Sequence, residues 1–378
     1  MLRVLGVAAY PLTAAATRYR LVQLIEPLAA RGVQLEVVTF LDDATFATLY
    51  DRSAWPSTTR GLLRGTARLC TVPWRARSTD VLLVQREAAL VGPPVVELAA
   101  RAIGRVPLVL DLDDATYIGH TSPIYGRVAR LLRSPGKADT LIRRAAVVTC
   151  GGTVLADYAR SLGARTAIIP TVVDTDRFRP RTDDRLHRMP VVGWVGSHST
   201  FPWLEALLPA LAQVALRRPF HLRVIGSGRD SFTVGELHVD CVPWTLGGEV
   251  AEFQQLDVGL YPMADTPWTA GKSALKSVQY MAVGVPFVAS PVGAAVEVGE
   301  AEVTHLTATS PQEWQDALER LLADPGLRAR LGAAGREHAV RRYHVSIVAD
   351  RLAAVVSEAA ASRGQPPRGA SGGTSAGR

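Results

Sequence analysis

Short runs of β-branched and aliphatic residues alternate with stretches whose apolar positions recur at helical spacing, almost from end to end of the 378 residues. That rhythm predicts an α/β chain with parallel sheets rather than separate helical and sheet blocks. Strands are expected at Leu2 to Ala8, Val33 to Phe40, Val81 to Gln85, Leu108 to Leu112, Val147 to Cys150 and Thr166 to Ile169. Between the first two, Leu21, Leu24, Ile25 and Leu28 share one helix face, and Gly32 supplies a left-handed cap. A further helix is expected from about Thr153 to Leu162, stopped by Gly163.

The stretch PTVVDTDRFRPRTDDRLHRMP is polar, contains proline and lacks periodicity, so it reads as a linker between domains. The rhythm restarts at VVGWVG, with strands expected at Val191 to Val195, Leu222 to Ile225, Asp257 to Tyr261 and Phe287 to Ser290, and another ending at Val242 to Trp244. Helices are expected over Trp203 to Leu216, where Leu204, Leu207, Leu208 and Leu211 form the apolar stripe, and from Ser273 to Val283, closed by Gly284 and Pro286. Residues from Pro311 to Ala361 read as helical. The expected organisation is a Rossmann-like domain over 1–182, joined by a C-terminal helix at about 345–361, a second over 190–344, and a disordered tail over 362–378. Two such sheets in tandem direct their strand ends at a shared cleft, where a ligand site is expected.

Composition narrows the function. Cys70, Cys150 and Cys241 are far apart and without CxxC or CxxH spacing, which indicates neither a disulfide framework nor a zinc site and predicts a reducing, cytoplasmic compartment. The opening MLRVLGVAAYPLTAAA imitates a signal peptide, but Pro11 and Thr13 interrupt the apolar run and an amphipathic helix follows, so a buried first strand is expected. No apolar run approaches the roughly 20 residues of a membrane span. The net charge of +7 comes from arginine, since Lys137, Lys272 and Lys276 are the only lysines. Basic residues are not interleaved with aromatics in a stripe, and helix-turn-helix or zinc-finger spacing is missing, which argues against a nucleic-acid partner. One basic segment, with Arg60, Arg64, Arg68, Arg75 and Arg77 beside Leu62, Leu63, Leu69 and Trp74, is either a solvated loop or a weak peripheral contact with the inner membrane surface.

The segment DVGLYPMADTPWTAGKSALKSVQYMAVGVPFVASPVG concentrates the chemistry. A strand ends at Pro262, a polar loop carries Trp268 and Thr269, and Lys272 and Lys276 fall four apart where the helix is expected to start. Cations oppose the positive end of a helix dipole, so they cost stability there unless an anion such as phosphate is bound. Solvated lysines on an exposed turn are the plain alternative. VGWVGSHST places Gly193, Gly196, Ser197, His198, Ser199 and Thr200 at the first turn of the second series, as a tight turn or a phosphate cradle. Gly226 and Gly228 mark a second such turn, and Trp244 borders a base or packs against the rim.

In the first half, LVLDLDDATY puts Asp111, Asp113 and Asp114 at the end of a buried strand. Carboxylates are costly to bury unpaired, so they are either held by arginines or placed for catalysis, with Asp113 the catalytic candidate. His120 follows as a second candidate or an ordinary loop histidine. Arg18, Tyr19, Arg20, Arg86 and Glu87 are expected to face the cleft, with Arg18 the third catalytic candidate. The Asp111/Asp113 pair imitates a dehalogenase-like phosphatase motif, but Ala115 stands where that chemistry needs Thr or Val.

GKSALKSVQYMAVGVPFVASPVG resembles the nucleotide-sugar signature of two-Rossmann-domain (GT-B) glycosyltransferases, in particular their retaining, metal-independent branch. YPLTAAATRYR, VLLVQREAA, LVLDLDDATY, IIPTVVDTDRF and VVGWVGSHST follow in matching order. The resemblance implies transfer of a sugar from a nucleotide diphosphate sugar to an acceptor hydroxyl, with neither metal nor cofactor. It implies a donor site including Gly196, Ser197, Gly226, Trp244, Trp268, Thr269, Gly271, Lys272, Lys276 and Gln279. Two glutamates usual in the family read Gly271 and Gln279 here, an arginine and lysine usual after the first glycine loop are missing from GSHSTFPWLE, and a histidine often stands near the position of Asp113. Those departures keep open two other readings, a sugar-nucleotide epimerase and a nucleotide-sugar-binding protein whose catalytic residues have decayed.

Overall fold

The β-branched runs build two sheets in a computed structural model that describes residues 1–49, 51–118, 134, 136–182 and 189–363. In the first, β1 (Leu2–Ala8), β2 (Val33–Thr39), β3 (Val81–Gln85), β4 (Leu108–Leu112), β5 (Val147–Cys150) and β6 (Thr166–Ile168) run parallel in the order β2-β1-β3-β4-β5-β6. In the second, β7 (Val191–Val195), β8 (His221–Ile225), β9 (Phe232–Val234), β10 (Leu237–Val242), β11 (Val258–Tyr261), β12 (Phe287–Ala289) and β13 (Leu306–Thr307) take the order β13-β12-β11-β7-β8-β10-β9. Only β9 is antiparallel, a hairpin strand on β10. All five residues of β3 and of β4 are buried, as a parallel strand covered by helices on both faces requires. The order of connections reverses between β1 and β3 in one sheet and between β7 and β11 in the other, so a crevice opens at each reversal. Both crevices face the boundary between the sheets, where Arg18 meets Glu249 and Gly151 approaches Ser273.

The helix Val345–Ala361 crosses back to the first sheet. Its Val345, Val348, Ala349, Leu352, Val356 and Ala359 share a core with Val4, Leu24, Val81 and Val109, and Arg31 anchors it through Asp350 and the Ser346 carbonyl. From residue 364 onward, the expected disordered tail lies outside the described residues.

Three local expectations change. Leu21, Leu24 and Leu28 are buried, but the single helix expected there is broken into Ala15–Arg20, a 3₁₀ turn Val22–Leu24 and Ile25–Ala29. Pro27 has no N–H to give the Gln23 carbonyl, and the Gln23 amide instead donates to the carbonyls of Tyr19 and Val172. The basic segment is a long helix, Trp55–Arg75, not a loop. The helix after the lysine loop is Leu275–Ala282, starting two residues later than expected, so Lys272 lies three residues before the helix instead of next to its start, and Lys276 is its second residue. No helix among the described residues is long and apolar enough to cross a membrane.

Helix Trp55–Arg75 packs tightly because its inward positions include Gly61, which meets Thr45 of the helix Asp43–Thr48, and Gly65, which meets Phe40 just after β2. A Cβ at Gly65 would stand 2.2 Å from the Phe40 carbonyl oxygen, a backbone atom that cannot step aside. Gly65→Ala gains about 1 kcal/mol of helix propensity, yet the overpacking cost of about 1–3 kcal/mol outweighs it. Urea denaturation of the variant is expected to show a net loss of stability.

Candidate functional site

Four loops of the second sheet converge on the boundary. A Cβ on Gly226, whose φ is +84°, would sit 2.5 Å from the Gly196 carbonyl, so the turns after β7 and β8 touch only because residue 226 is glycine. The exposed Ser197 donates its amide to Thr200 Oγ1 at 3.1 Å, closing a tight turn. Trp244, after β10, is partly exposed and has the Arg18 guanidinium 5.7 Å from its ring centre.

The loop after β11 is stiffened from within. Thr266 and Thr269 form a reciprocal cap, and the buried Thr269 hydroxyl donates to the Ala264 carbonyl at 2.6 Å, so it holds the loop and is turned away from solvent. Lys272 Nζ lies 3.8 Å from the centre of the Trp268 ring, which in turn packs beside Trp203 at 6.0 Å. The same ammonium is 3.9 Å from Asp114. Burial depresses the Lys272 pKa, with Arg86 adding to the effect and Asp114 offsetting part of it. Ala274 takes a left-handed φ of +51° and opens the helix, and no side chain caps the helix start. Lys276 Nζ donates to Gln279 Oε1 at 2.8 Å, and burial pulls its pKa down to about 8, with Glu249 resisting. The buried Ser277 hydroxyl, in the first turn, has no hydrogen-bond partner.

Across the boundary, Arg18 donates to both oxygens of Glu249, at 2.6 and 3.0 Å, and to Tyr19 Oη at 3.2 Å. Gln279 Nε2 donates to Tyr19 Oη at 2.8 Å and to Glu249 at 3.2 Å, which ties the helix of the second unit to the first. Burial works against ionisation of Glu249, but the Arg18 hydrogen bonds and charge prevail and hold its pKa below the ordinary range.

Asp111 accepts from Arg20 through both oxygens and from Thr149 at 2.6 Å, an arrangement that fastens the helix Ala15–Arg20 to β4. Asp113, also buried, accepts from Arg86 Nε at 2.5 Å, Arg86 Nη2 at 2.7 Å and Gln85 Nε2 at 3.0 Å. Burial pushes the Asp113 carboxyl up, and the adjacent Arg86 charge more than reverses that, so the group stays ionised. Arg86 itself carries a φ of +60°, a strained backbone held by this pairing. Asp114 stands nearer the opening, 3.7 Å from Arg86. Gly271 abuts the same turn, since a Cβ on it would lie 2.5 Å from Ala115 Cβ. His120 lies outside the described residues.

Lys272, Lys276, Gln279, Gly271, Trp268, Trp244, Arg18 and the Asp113–Asp114 turn therefore meet at one boundary, while Ser197 and Gly196 border it through the Gly226 contact. Glu249 is the central residue that sequence reasoning missed. An acid in the first turn of a helix is its ordinary position, and nothing in TLGGEV marked it as the partner of a residue 231 positions away. Asp174, Asp176 and His344 have ligand atoms close enough to share a cation, but they belong to the linker and the junction of the last two helices.

In structural comparison, HepE of Anabaena in complex with UDP-glucose covers 95% of this chain and 100% of its own, with a TM-score of 0.69 at 20% identity. Sucrose-phosphate synthase from Thermosynechococcus elongatus covers 96% and 100%, with a TM-score of 0.70 at 16% identity. The fold is GT-B. Within this GT-B chain, residues 189–324, which hold the lysine loop, match the family of glycosyl transferases group 1. The MMP alpha-(1->4)-mannosyltransferase of Mycolicibacterium hassiacum is 28% identical over 215 residues, 55% of this chain and 52% of its own length. The D-inositol 3-phosphate glycosyltransferase of Corynebacterium diphtheriae is 31% identical over 184 residues, 45% and 43% respectively. The chain thus spans about half the length of the curated relatives it matches.

Removing one partner of the buried pair leaves the other charged and dry, which costs about 3–5 kcal/mol. Glu249→Gln is expected to destabilise the protein by an amount of this order, while Arg18→Met with Glu249→Met recovers much of the loss. Because the folded Glu249 pKa is depressed, its contribution is fully present above the ordinary glutamate range and disappears as pH falls through the lower folded value. Denaturation curves of wild type and Glu249→Gln from neutral pH into acid are therefore expected to converge.

Proposed function

We propose that this chain is a glycosyltransferase that moves a sugar from a nucleotide diphosphate sugar to an acceptor hydroxyl, with retained configuration and no metal ion. The reading rests above all on Lys272 and Lys276, two cations with depressed pKa values that bracket the uncapped start of Leu275–Ala282 at the reversal of the second sheet. An anion there relieves the cost of burying both ammonium groups and gains the free helix amides. The family match over 189–324 and the UDP and UDP-glucose complexes of HepE support assigning that anion as a nucleotide diphosphate.

In this reading the leaving diphosphate gains charge as the glycosidic bond breaks, and the lysines neutralise it in place of a divalent cation. Gln279 offers its amide to a ribose hydroxyl in exchange for its bonds to Tyr19 and Glu249. Trp244 flanks the base, and the loops at Gly196, Ser197 and Gly226 bring backbone close to the nucleotide. Asp113 acts by holding Arg86 at the acceptor side, and Arg18 lines the boundary between donor and acceptor. The transfer takes place where the parallel strands of both units end.

Incubation with a panel of nucleotide sugars and hydroxyl acceptors, followed by product analysis, tests the reading. A transferred sugar supports it; an epimerised nucleotide sugar or binding without any product overturns it. Lys272→Ala and Lys276→Ala are each expected to weaken nucleotide diphosphate binding roughly tenfold or more in calorimetry, since a hydrogen bond to a charged group is worth about 1.5–3 kcal/mol. Turnover falls further than affinity, and chelators have no effect. Unchanged affinity in both variants, or strict dependence on a divalent metal, removes the proposed diphosphate site.

The pH dependence has a definite sign. Lys276 is protonated below about 8 in the free protein, and a bound diphosphate raises that value. Binding is therefore expected to weaken as pH rises through this range and to take up protons near its midpoint, with the uptake lost in Lys276→Met. Calorimetry in buffers of different ionisation enthalpy measures the uptake directly.

A further inference from the structure

We infer that the outer face of the helix Trp55–Arg75, with the hollow at its C-terminal end, docks on an anionic lipid bilayer. The inner face of this helix is already used, with Gly61, Gly65, Leu69 and Val72 packed on the first unit. Outward, Leu63, Ala67, Cys70 and Trp74 recur at positions i, i+4, i+7 and i+11, the spacing of a buried stripe, yet all four are exposed, Leu63 at 66% and Trp74 at 60%. Trp55, at the start of the helix, is 62% exposed. Leu63 and Trp74, joined on one exposed helix face by the small Ala67 and Cys70, form a continuous strip that marks an interaction surface rather than scattered exposure.

Charge identifies the partner. Between residues 52 and 79 the chain has six arginines and no aspartate or glutamate. Arg68 and Arg75 are engaged by Asp42 and Glu36, which leaves the lipid role to others. Among the described residues, Arg60, Arg64, Arg77 and Arg105 have no carboxylate within ion-pair distance. Arg60 and Arg64 flank the Leu63 stripe. Arg77 and Arg105 line the open hollow together with Trp74, Ala102, Ile103 and Gly104, and Ile103 is itself exposed. A tryptophan and an isoleucine beside two unpaired guanidinium groups match a phosphate headgroup above the acyl boundary, whereas a polyanion without an apolar layer leaves Leu63, Trp74 and Ile103 in water. Leu69, counted in the basic segment from sequence, is buried and plays no part.

The hollow lies by the start of β4, at the opposite end of the first sheet from the cleft, so docking leaves the lysine loop accessible. The inference is independent of sugar transfer, because vesicle binding needs no nucleotide.

Co-sedimentation of the full chain with vesicles of phosphatidylcholine alone and of an equal mixture with phosphatidylglycerol tests it. Binding is expected to the mixture only and to decline as salt is raised. Each arginine near such a surface contributes a factor of about five, so Arg64→Glu with Arg77→Glu is expected to lower partitioning by more than tenfold. Trp74→Ala lowers it several-fold, with the melting transition of both variants unchanged because these side chains are exposed. Hydrogen exchange on the wild type with mixed vesicles is expected to slow at residues 59–78, a readout that needs no variant. Absence of binding, equal partitioning of wild type and variants, or tighter binding to an RNA homopolymer than to vesicles overturns the inference.

Discussion

Two parallel sheets whose strand ends face each other bring charged loops together in a space with little water, and the cost of desolvating charge governs what can stand there. An isolated buried ion is untenable, so the buried carboxylates Asp111, Asp113 and Glu249 are each matched to a guanidinium. Arg20 with Asp111 fastens a helix to its sheet, Arg86 with Asp113 fixes a strained turn, and Arg18 with Glu249 crosses between the units. Arginine suits this work because its planar fork satisfies both carboxylate oxygens at once.

The lysines break that pattern, and the break gives the site its character. Lys276 has an amide oxygen as its hydrogen-bond partner, and Lys272 sits over an indole with Asp114 only at the edge of ion-pair distance. Both therefore lose basicity where the arginines around them keep their charge. A compact ammonium that is under-compensated in the free protein has the most to gain from an arriving anion. In the proposed reading, stability and ligand affinity are thus opposed at the same two residues, as at sites kept for binding rather than for folding.

The fold was legible because parallel strands buried on both faces leave an unmistakable imprint, as in Val81–Gln85 and Leu108–Leu112, where expected and observed limits coincide. Capping glycines at 32 and 163 were equally readable from their left-handed backbone. What escaped detection depended on partners remote in sequence. The helix Trp55–Arg75 is apolar on two faces and carries glycines inside it, so its periodicity is blurred, and only the approach of Phe40 explains Gly65. The start of Leu275–Ala282 shifted because Ala274 takes a left-handed turn that a β-carbon normally opposes. At the site, the lysines stood out by their rarity in an arginine-rich chain. Glu249 did not, since its significance comes from Arg18, on the far side of the boundary.

Gly271 shows how tightly the two units depend on each other's sequence. Its missing side chain is what admits Ala115 to within contact, and any β-carbon there would force the Asp113–Ala115 turn away. That same approach carries Asp114 to 3.9 Å from Lys272, the residue that follows Gly271. A carboxylate is absent from position 271 and another arrives from the opposite unit beside the adjacent lysine, so the negative charge near Lys272 is set by how closely the units approach. Separation of the units removes Asp114 from Lys272 and Arg18 from Glu249 in one motion, so Lys272 loses its nearest carboxylate while Glu249 stays beside Lys276 without its guanidinium partner. The charge balance around the lysines and closure of the boundary are therefore linked through Asp114 and Glu249, and neither can be altered without altering the other.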